Sequence, residues 1–155
     1  MEKSNKTLVI VPCSKNKTWS KWPHLKKVPA KDAYISPYFR LCKLYAEKFS
    51  DKWVIFSGKY GIIDPNTPIE NYNSKLLYKK IDKKFYHMIK KQLGELLAEY
   101  DIVVVVSLCG GDYFRVIEEI IGDNRVKVYN PLSGLKMGKR MKKLKDCIEN
   151  DKPLL

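Results

Sequence analysis

The chain is poor in the residues that build metal centres and disulfide frameworks. It has four cysteines, Cys13, Cys42, Cys109 and Cys147, widely scattered and without a C-x-x-C pair. That spacing argues against a structural zinc site, and in a reducing compartment the four are expected to be free thiols. It has two histidines, His24 and His87, and His87 falls inside a helical pattern, so a Cys–His catalytic pair has little support. No apolar run approaches the ~20 residues of a membrane-spanning helix. The opening Met1–Lys6 is polar, and the apolar run behind it is too short for a signal peptide; a cytoplasmic protein without membrane contact is expected. There is no P-loop, no dinucleotide fingerprint, no internal repeat and no low-complexity linker. No metal or cofactor is expected. Acidic residues are also scarce: 17 Asp+Glu face 30 Lys+Arg, a formal net charge of +13. Such a surplus predicts an anionic partner, most simply DNA or RNA. Oligomeric state is left open.

What is present is an alternation of strand and helix patterns over 155 residues, a length suited to one domain with one core. Thr7–Val11 reads as a buried strand. Ser36–Phe49 reads as a helix, because Tyr38, Leu41, Cys42, Tyr45, Ala46 and Phe49 recur at three- and four-residue spacing; Pro37 suits its first turn and Ser36 its cap. Trp53–Ser57 is a second strand and Ile81–Tyr100 a long helix. Asp101–Leu108 carries Ile102–Val106, an apolar run without alternation, as in a strand covered on both faces. Asp112–Ile121 is a helix entered through Gly110-Gly111. Val126–Tyr129 is a fourth strand and Met137–Ile148 a basic helix. The expected fold is therefore α/β, a single domain spanning 1–155 with a mostly parallel sheet of four or slightly more strands flanked by helices. Segments 18–35 and 60–79 are long irregular connections, which in compact domains are often functional.

In a parallel sheet the carboxyl ends of the strands share one edge, where ligands bind. Strand one runs into Pro12-Cys13-Ser14-Lys15-Asn16-Lys17, which gathers a thiol, a hydroxyl, an amide and two ammonium groups. Strand two runs into Ser57-Gly58-Lys59-Tyr60-Gly61, strand three into Cys109-Gly110-Gly111-Asp112-Tyr113, and strand four into Asn130-Pro131-Leu132-Ser133-Gly134. Lys15, Lys17 and Lys59 are candidates for binding phosphate or polarising a carbonyl. Asp32 and Asp112 are candidate bases or nucleophiles, and Cys13 is a candidate nucleophile. Gly110 and Gly111 open a helix whose free N–H groups suit an anion. Tyr34, Tyr60, Tyr72 and Tyr113 offer rings for stacking on a base, and Ser14, Ser36, Ser57, Ser133 and Gly134 complete the candidate substrate contacts. Each feature also has a plainer reading: Asp112 as a cap, Asp32 and the glycines as turns, the tyrosines as core. Lys139, Arg140, Lys142 and Lys143 form a basic helix face suited to a nucleic-acid backbone, or simply to solvent.

The motifs Pro12-Cys13-Ser14-Lys15-Asn16-Lys17, Ala30-Lys31-Asp32-Ala33-Tyr34-Ile35-Ser36-Pro37-Tyr38-Phe39 and Ser57-Gly58-Lys59-Tyr60-Gly61-Ile62-Ile63-Asp64-Pro65, with Gly111-Asp112-Tyr113 and Pro131-Leu132-Ser133-Gly134-Leu135 further on, resemble the uncharacterised DUF6884 family. That family looks related to the central domain of archaeosine synthase, whose motif is matched by Pro12, Cys13 and Lys17, with Thr18-Trp19 in place of its Pro-Tyr. It is also similar in fold to the uracil-DNA glycosylases. The resemblance implies a uracil-DNA glycosylase-like domain and an enzyme acting on a nucleobase or its N-glycosidic bond in DNA or RNA. In a glycosylase-type step Asp32, or next Asp112, would stabilise the oxocarbenium. In a base-modifying step Cys13 would attack a nitrile and Lys17 donate a proton. A non-catalytic nucleic-acid-binding module and an enzyme of free nucleotides or nucleosides are the alternatives.

Overall fold

A computed structural model describes residues 6–122 and 125–155. The first strand is Thr7–Pro12 (β1). Short elements follow: a 3-10 turn at Thr18–Ser20, the two-residue strand Val28–Pro29 (β2) and the helical turn Ala30–Ala33 (α1). Helix Pro37–Phe49 (α2) leads to strands Lys52–Ser57 (β3), Gly61–Ile63 (β4) and Pro68–Ile69 (β5). The second half holds helix Lys83–Glu99 (α3), strand Val104–Ser107 (β6), helix Gly111–Ile121 (α4), strand Lys127–Tyr129 (β7) and helix Met137–Asn150 (α5).

The main sheet has the order β4-β3-β1-β6-β7. β1 lies between β3 and β6, parallel to both, and β7 is parallel to β6. These are the four strands expected from the pattern. The fifth, β4, is antiparallel to β3, with Ser57 opposite Gly61. It is too short to show alternation, and it turns back through a Gly61 at φ +73°. A separate ribbon pairs β2 with β5, so the two long connections, 18–35 and 60–79, are tied to each other rather than left loose.

The central strand β1 shows why both faces must be covered. Val9 and Val11 pack with α2 and α5 residues such as Phe39, Tyr45 and Leu144. Leu8 and Ile10 pack on the other face with Ile89, Leu93, Val116 and Ile117 of α3 and α4. Burial on two faces is the reason the strand reads as a continuous apolar run. Ser36 caps α2, accepting the Phe39 N–H at 3.2 Å, with Pro37 in the first turn. Asp82 caps α3, so the helix begins two residues later than its apolar periodicity suggests. Among the described residues no helix is long and apolar enough to cross a membrane.

Candidate active site

β1 ends at the middle of the sheet. The Cys13 N–H extends the ladder by one bond to Phe56 O (3.2 Å), and the chain then turns sharply. Ser14 Oγ donates to Asn16 O (2.8 Å), closing the turn. Lys17 pairs in an isolated bridge with Tyr34, and the Ile35 N–H donates to Asn16 O. These bonds direct the Lys17 side chain inward, where it is only 8% exposed. Its Nζ donates to Lys15 O (3.3 Å) and lies 4.4 Å from the centre of the Tyr72 ring. The four ion pairs found among the described residues do not include it.

Tyr72 is the keystone of this arrangement. Its hydroxyl accepts from Ser57 Oγ (2.9 Å) and shares a 2.5 Å hydrogen bond with Tyr34. Ser57 in turn accepts the N–H groups of Lys59 (3.1 Å) and Tyr60 (3.0 Å), fixing the turn after β3. Opposite, Tyr113 lies edge-on to Phe56, and its hydroxyl accepts from the Leu76 N–H (3.0 Å) and from the Cys13 thiol (3.7 Å). A cavity of about 380 Å³ opens between Cys13, Ser14, Lys15, Lys17, Tyr72, Asn73, Ser74, Lys75 and Tyr113, a size suited to a small organic ligand.

The electrostatics of the cavity are one-sided. Burial lowers the Lys17 pKa below its ordinary value, an effect the Cys13 charge opposes. Burial, with Cys13 and Tyr34 as lesser contributors, pushes the Tyr72 phenol up; burial and Cys13 do the same to Tyr113. Both phenols therefore stay neutral, and no Asp or Glu lines the cavity. The Lys17 charge is left to be met by an anionic or electron-rich ligand.

The structure brings together Cys13, Ser14, Lys15, Lys17 and Tyr113 of the expected site, with Ser57 and Tyr34 immediately behind as the support of Tyr72. Other candidates lie elsewhere. Asp32 is exposed and 3.7 Å from Lys43. Asp112 Oδ2 accepts the Tyr78 N–H (3.2 Å), a structural tie to the 60–79 connection. Ser36 is a helix cap. Lys59 is exposed with its Nζ 5.3 Å from the Tyr60 ring centre, and Tyr60 meets Tyr72 edge-on rather than facing the cavity. Ser133 and Gly134, in the turn after β7, do not line the cavity: β7 stands two strands, about 10 Å, from β1. Gly110 and Gly111 open α4, with the Arg140 guanidinium beside Gly110. Arg140 is thereby turned inward, its Nε donating to Leu135 O (2.8 Å), while Lys139, Lys142 and Lys143 remain exposed. Asn73, Ser74 and Lys75 escaped the sequence reading. Their only signal was the length of the 60–79 connection.

The molecule is thus a three-layer α/β protein with a thiol and a buried ammonium at the carboxyl end of its central strand. Residues 8–146 match the model of DUF6884, a family of unknown function, and the chain belongs to that family. It is 33% identical over 146 residues to the uncharacterized protein YfjM of Bacillus subtilis (strain 168), covering 93% of this chain and 96% of that one. Among solved structures it is similar to AF0587, a protein of unknown function, at TM-score 0.48 and 14% identity. That match covers 94% of this chain but 45% of the other, so the chain spans less than half of that neighbour.

Proposed function

We propose that this protein takes a nucleobase of DNA or RNA into the Cys13–Lys17 cavity and modifies it there. The observation that carries the reading is the buried Lys17 ammonium, without a carboxylate partner, in the same cavity as the Cys13 thiol. A buried cation without a counter-charge is costly unless a ligand supplies one, and heterocyclic bases carry electron-rich edges that an ammonium can polarise. The net charge of +13 supports a nucleic-acid carrier for that base.

Two chemical routes follow from the resemblance, and the geometry favours one. N-glycosidic cleavage needs a carboxylate near the sugar, yet Asp32 faces Lys43 and Asp112 faces the Tyr78 amide. Addition to the base needs a nucleophile and a proton donor, and the cavity has both. Cys13, having lost its proton to solvent, forms a C–S bond to an electrophilic base carbon such as a nitrile. The π electrons move to nitrogen, which takes a proton from Lys17. A glycosylase-like sheet, with the base held at the carboxyl ends of the parallel strands, belongs to the same proposal.

The test is incubation with unmodified and deazaguanine-nitrile-bearing strands, followed by intact-mass analysis. A covalent adduct or a modified base that Cys13→Ser and Lys17→Ala abolish is expected. Salt-sensitive binding without adduct or product from any strand would make the protein a binding module. Turnover of free nucleotides with no strand affinity would move the substrate to the nucleotide pool.

A further inference from the structure

The base cavity does not end at Lys17. A second hollow of about 440 Å³ shares Lys15, Lys17, Tyr72 and Asn73 with it and continues over Asn16, Asn71 and Ser20. Its added lining is polar and uncharged apart from the Trp19 ring, and it contains no carboxylate. Trp19 is fixed there by its indole N–H, which donates to Leu25 O (2.9 Å). The same turn then projects Trp22, whose backbone N–H donates to Thr18 O; the residue is 56% exposed, and its ring meets the His24 ring edge-on. From Cys13 to Lys27 the chain carries Lys15, Lys17, Lys21, Lys26 and Lys27 and no Asp or Glu.

We infer that the second hollow seats the nucleotide next to the base held over Lys17, and that Trp22 stacks on the base beyond, so that the substrate is a single strand and not a free nucleotide. This rests on the base-binding reading of the first cavity. Asparagine amides both donate and accept and suit base edges. Lysines along the path meet phosphates. An exposed indole beside a basic groove is a stacking platform for an unpaired base. A free monophosphate would use the first cavity and leave the second hollow and Trp22 idle.

The measurement is fluorescence anisotropy with dye-labelled random-sequence hexamers of single-stranded DNA and of RNA, competed by the unlabelled hexamers and by nucleoside monophosphates. Hexamers should bind at least about ten-fold more tightly than monophosphates. Trp22→Ala should weaken hexamers by about five- to hundred-fold, the worth of one stacked base, and Trp22→Phe should restore most of it. The DNA and RNA arms decide which strand is preferred. Equal affinity for hexamers and monophosphates, both weakened by Lys17→Ala, would overturn the second subsite and leave the base cavity standing. A hexamer advantage untouched by Trp22→Ala would overturn the path. Binding of neither probe would overturn both readings.

Discussion

Lys17 and Lys52 solve the same problem at opposite edges of one sheet. Each carries a largely buried ammonium against a tyrosine ring, Lys17 over Tyr72 at 4.4 Å and Lys52 over Tyr100 at 5.0 Å. At the amino end of β3, Lys52 also meets the Asp64 carboxylate. Burial works against its charge, but the hydrogen bond and the charge of Asp64 outweigh burial, and its pKa is raised. At the carboxyl end of β1, Lys17 has a backbone carbonyl and a neighbouring thiol but no carboxylate, and burial wins: its pKa is lowered. An ion pair completed within the fold serves the fold. A buried charge left for something else to complete makes a candidate site.

The largest test of that contrast is binding. Lys17→Ala should weaken strand-borne base binding about ten- to hundred-fold, the scale of one lost hydrogen bond to a charged group, whereas Lys52→Ala should leave it near wild type. Anisotropy titrations of the two variants side by side would break the comparison if they moved together.

Next in size is the cavity wall. A Cβ at Gly58 would stand 2.3 Å from Ser74 O and 3.0 Å from the Tyr113 hydroxyl. Ser74 O is backbone and cannot swing aside. Gly58→Ala should therefore cost about 1–3 kcal/mol in urea unfolding and displace the Asn73–Lys75 wall, reducing base affinity as well. Unchanged stability would mean that the wall moves freely and does not shape the cavity.

Smaller, but opposite in sign, are the stability effects of the two lysines. Lys17→Met keeps the apolar stem and removes an unpaired buried charge, so it should stabilise the protein by about 1 kcal/mol. Lys52→Met breaks a pair whose Asp64 side chain is 42% exposed, and should cost about 0.5–1 kcal/mol. The same sign would erase the distinction between the two edges.

The finest test is pH. Because the folded state lowers the Lys17 pKa, the unfolded chain binds more protons between that lowered value and 10.5. The destabilising contribution of Lys17 should fade as pH rises through that window. Lys52 behaves oppositely: its contribution is full below 10.5 and is lost as pH rises through its raised value. Asp64, lowered because Lys52 and the Asn66 N–H outweigh its burial, loses its contribution only as pH falls below 3.8 through the lowered value. Urea unfolding of wild type and Lys17→Met from neutral to alkaline pH should show the gap between them closing. A gap that widens would mean that the folded state holds the Lys17 proton more tightly than the unfolded chain does.

Much of the architecture was legible because it rests on local periodicity. The run Ile102–Val106 announced a strand covered on both faces, although the strand itself is Val104–Ser107 and Val103 before it is exposed; the spacing of Leu41, Cys42, Tyr45 and Ala46 announced α2, and Ser36-Pro37 marked its start. Four parallel strands followed, and with them the edge at which Cys13 and Lys17 lie. The strands β2, β4 and β5 were not legible. They are two or three residues long, and their pairing is set by turns and by partners distant in the chain.

The sequence alone determined the strand–helix alternation, the basic surplus and the concentration of chemistry after β1, since each is a property of residues close together in the chain. Only the tertiary structure decided which candidates meet. Asp32 stands four residues from Ser36 and two from Tyr34 in sequence, yet its carboxylate turns to Lys43 on α2 while Tyr34 turns inward to Tyr72. Ser133 follows a strand just as Cys13 does, yet sheet order places its strand at the far edge. Tyr72, from the middle of an irregular connection, becomes the wall over Lys17 because the β2–β5 ribbon and the Leu76–Tyr113 bond draw that connection across the carboxyl ends of the strands. Local periodicity specifies elements. Long-range pairing and burial choose which side chains share a cavity.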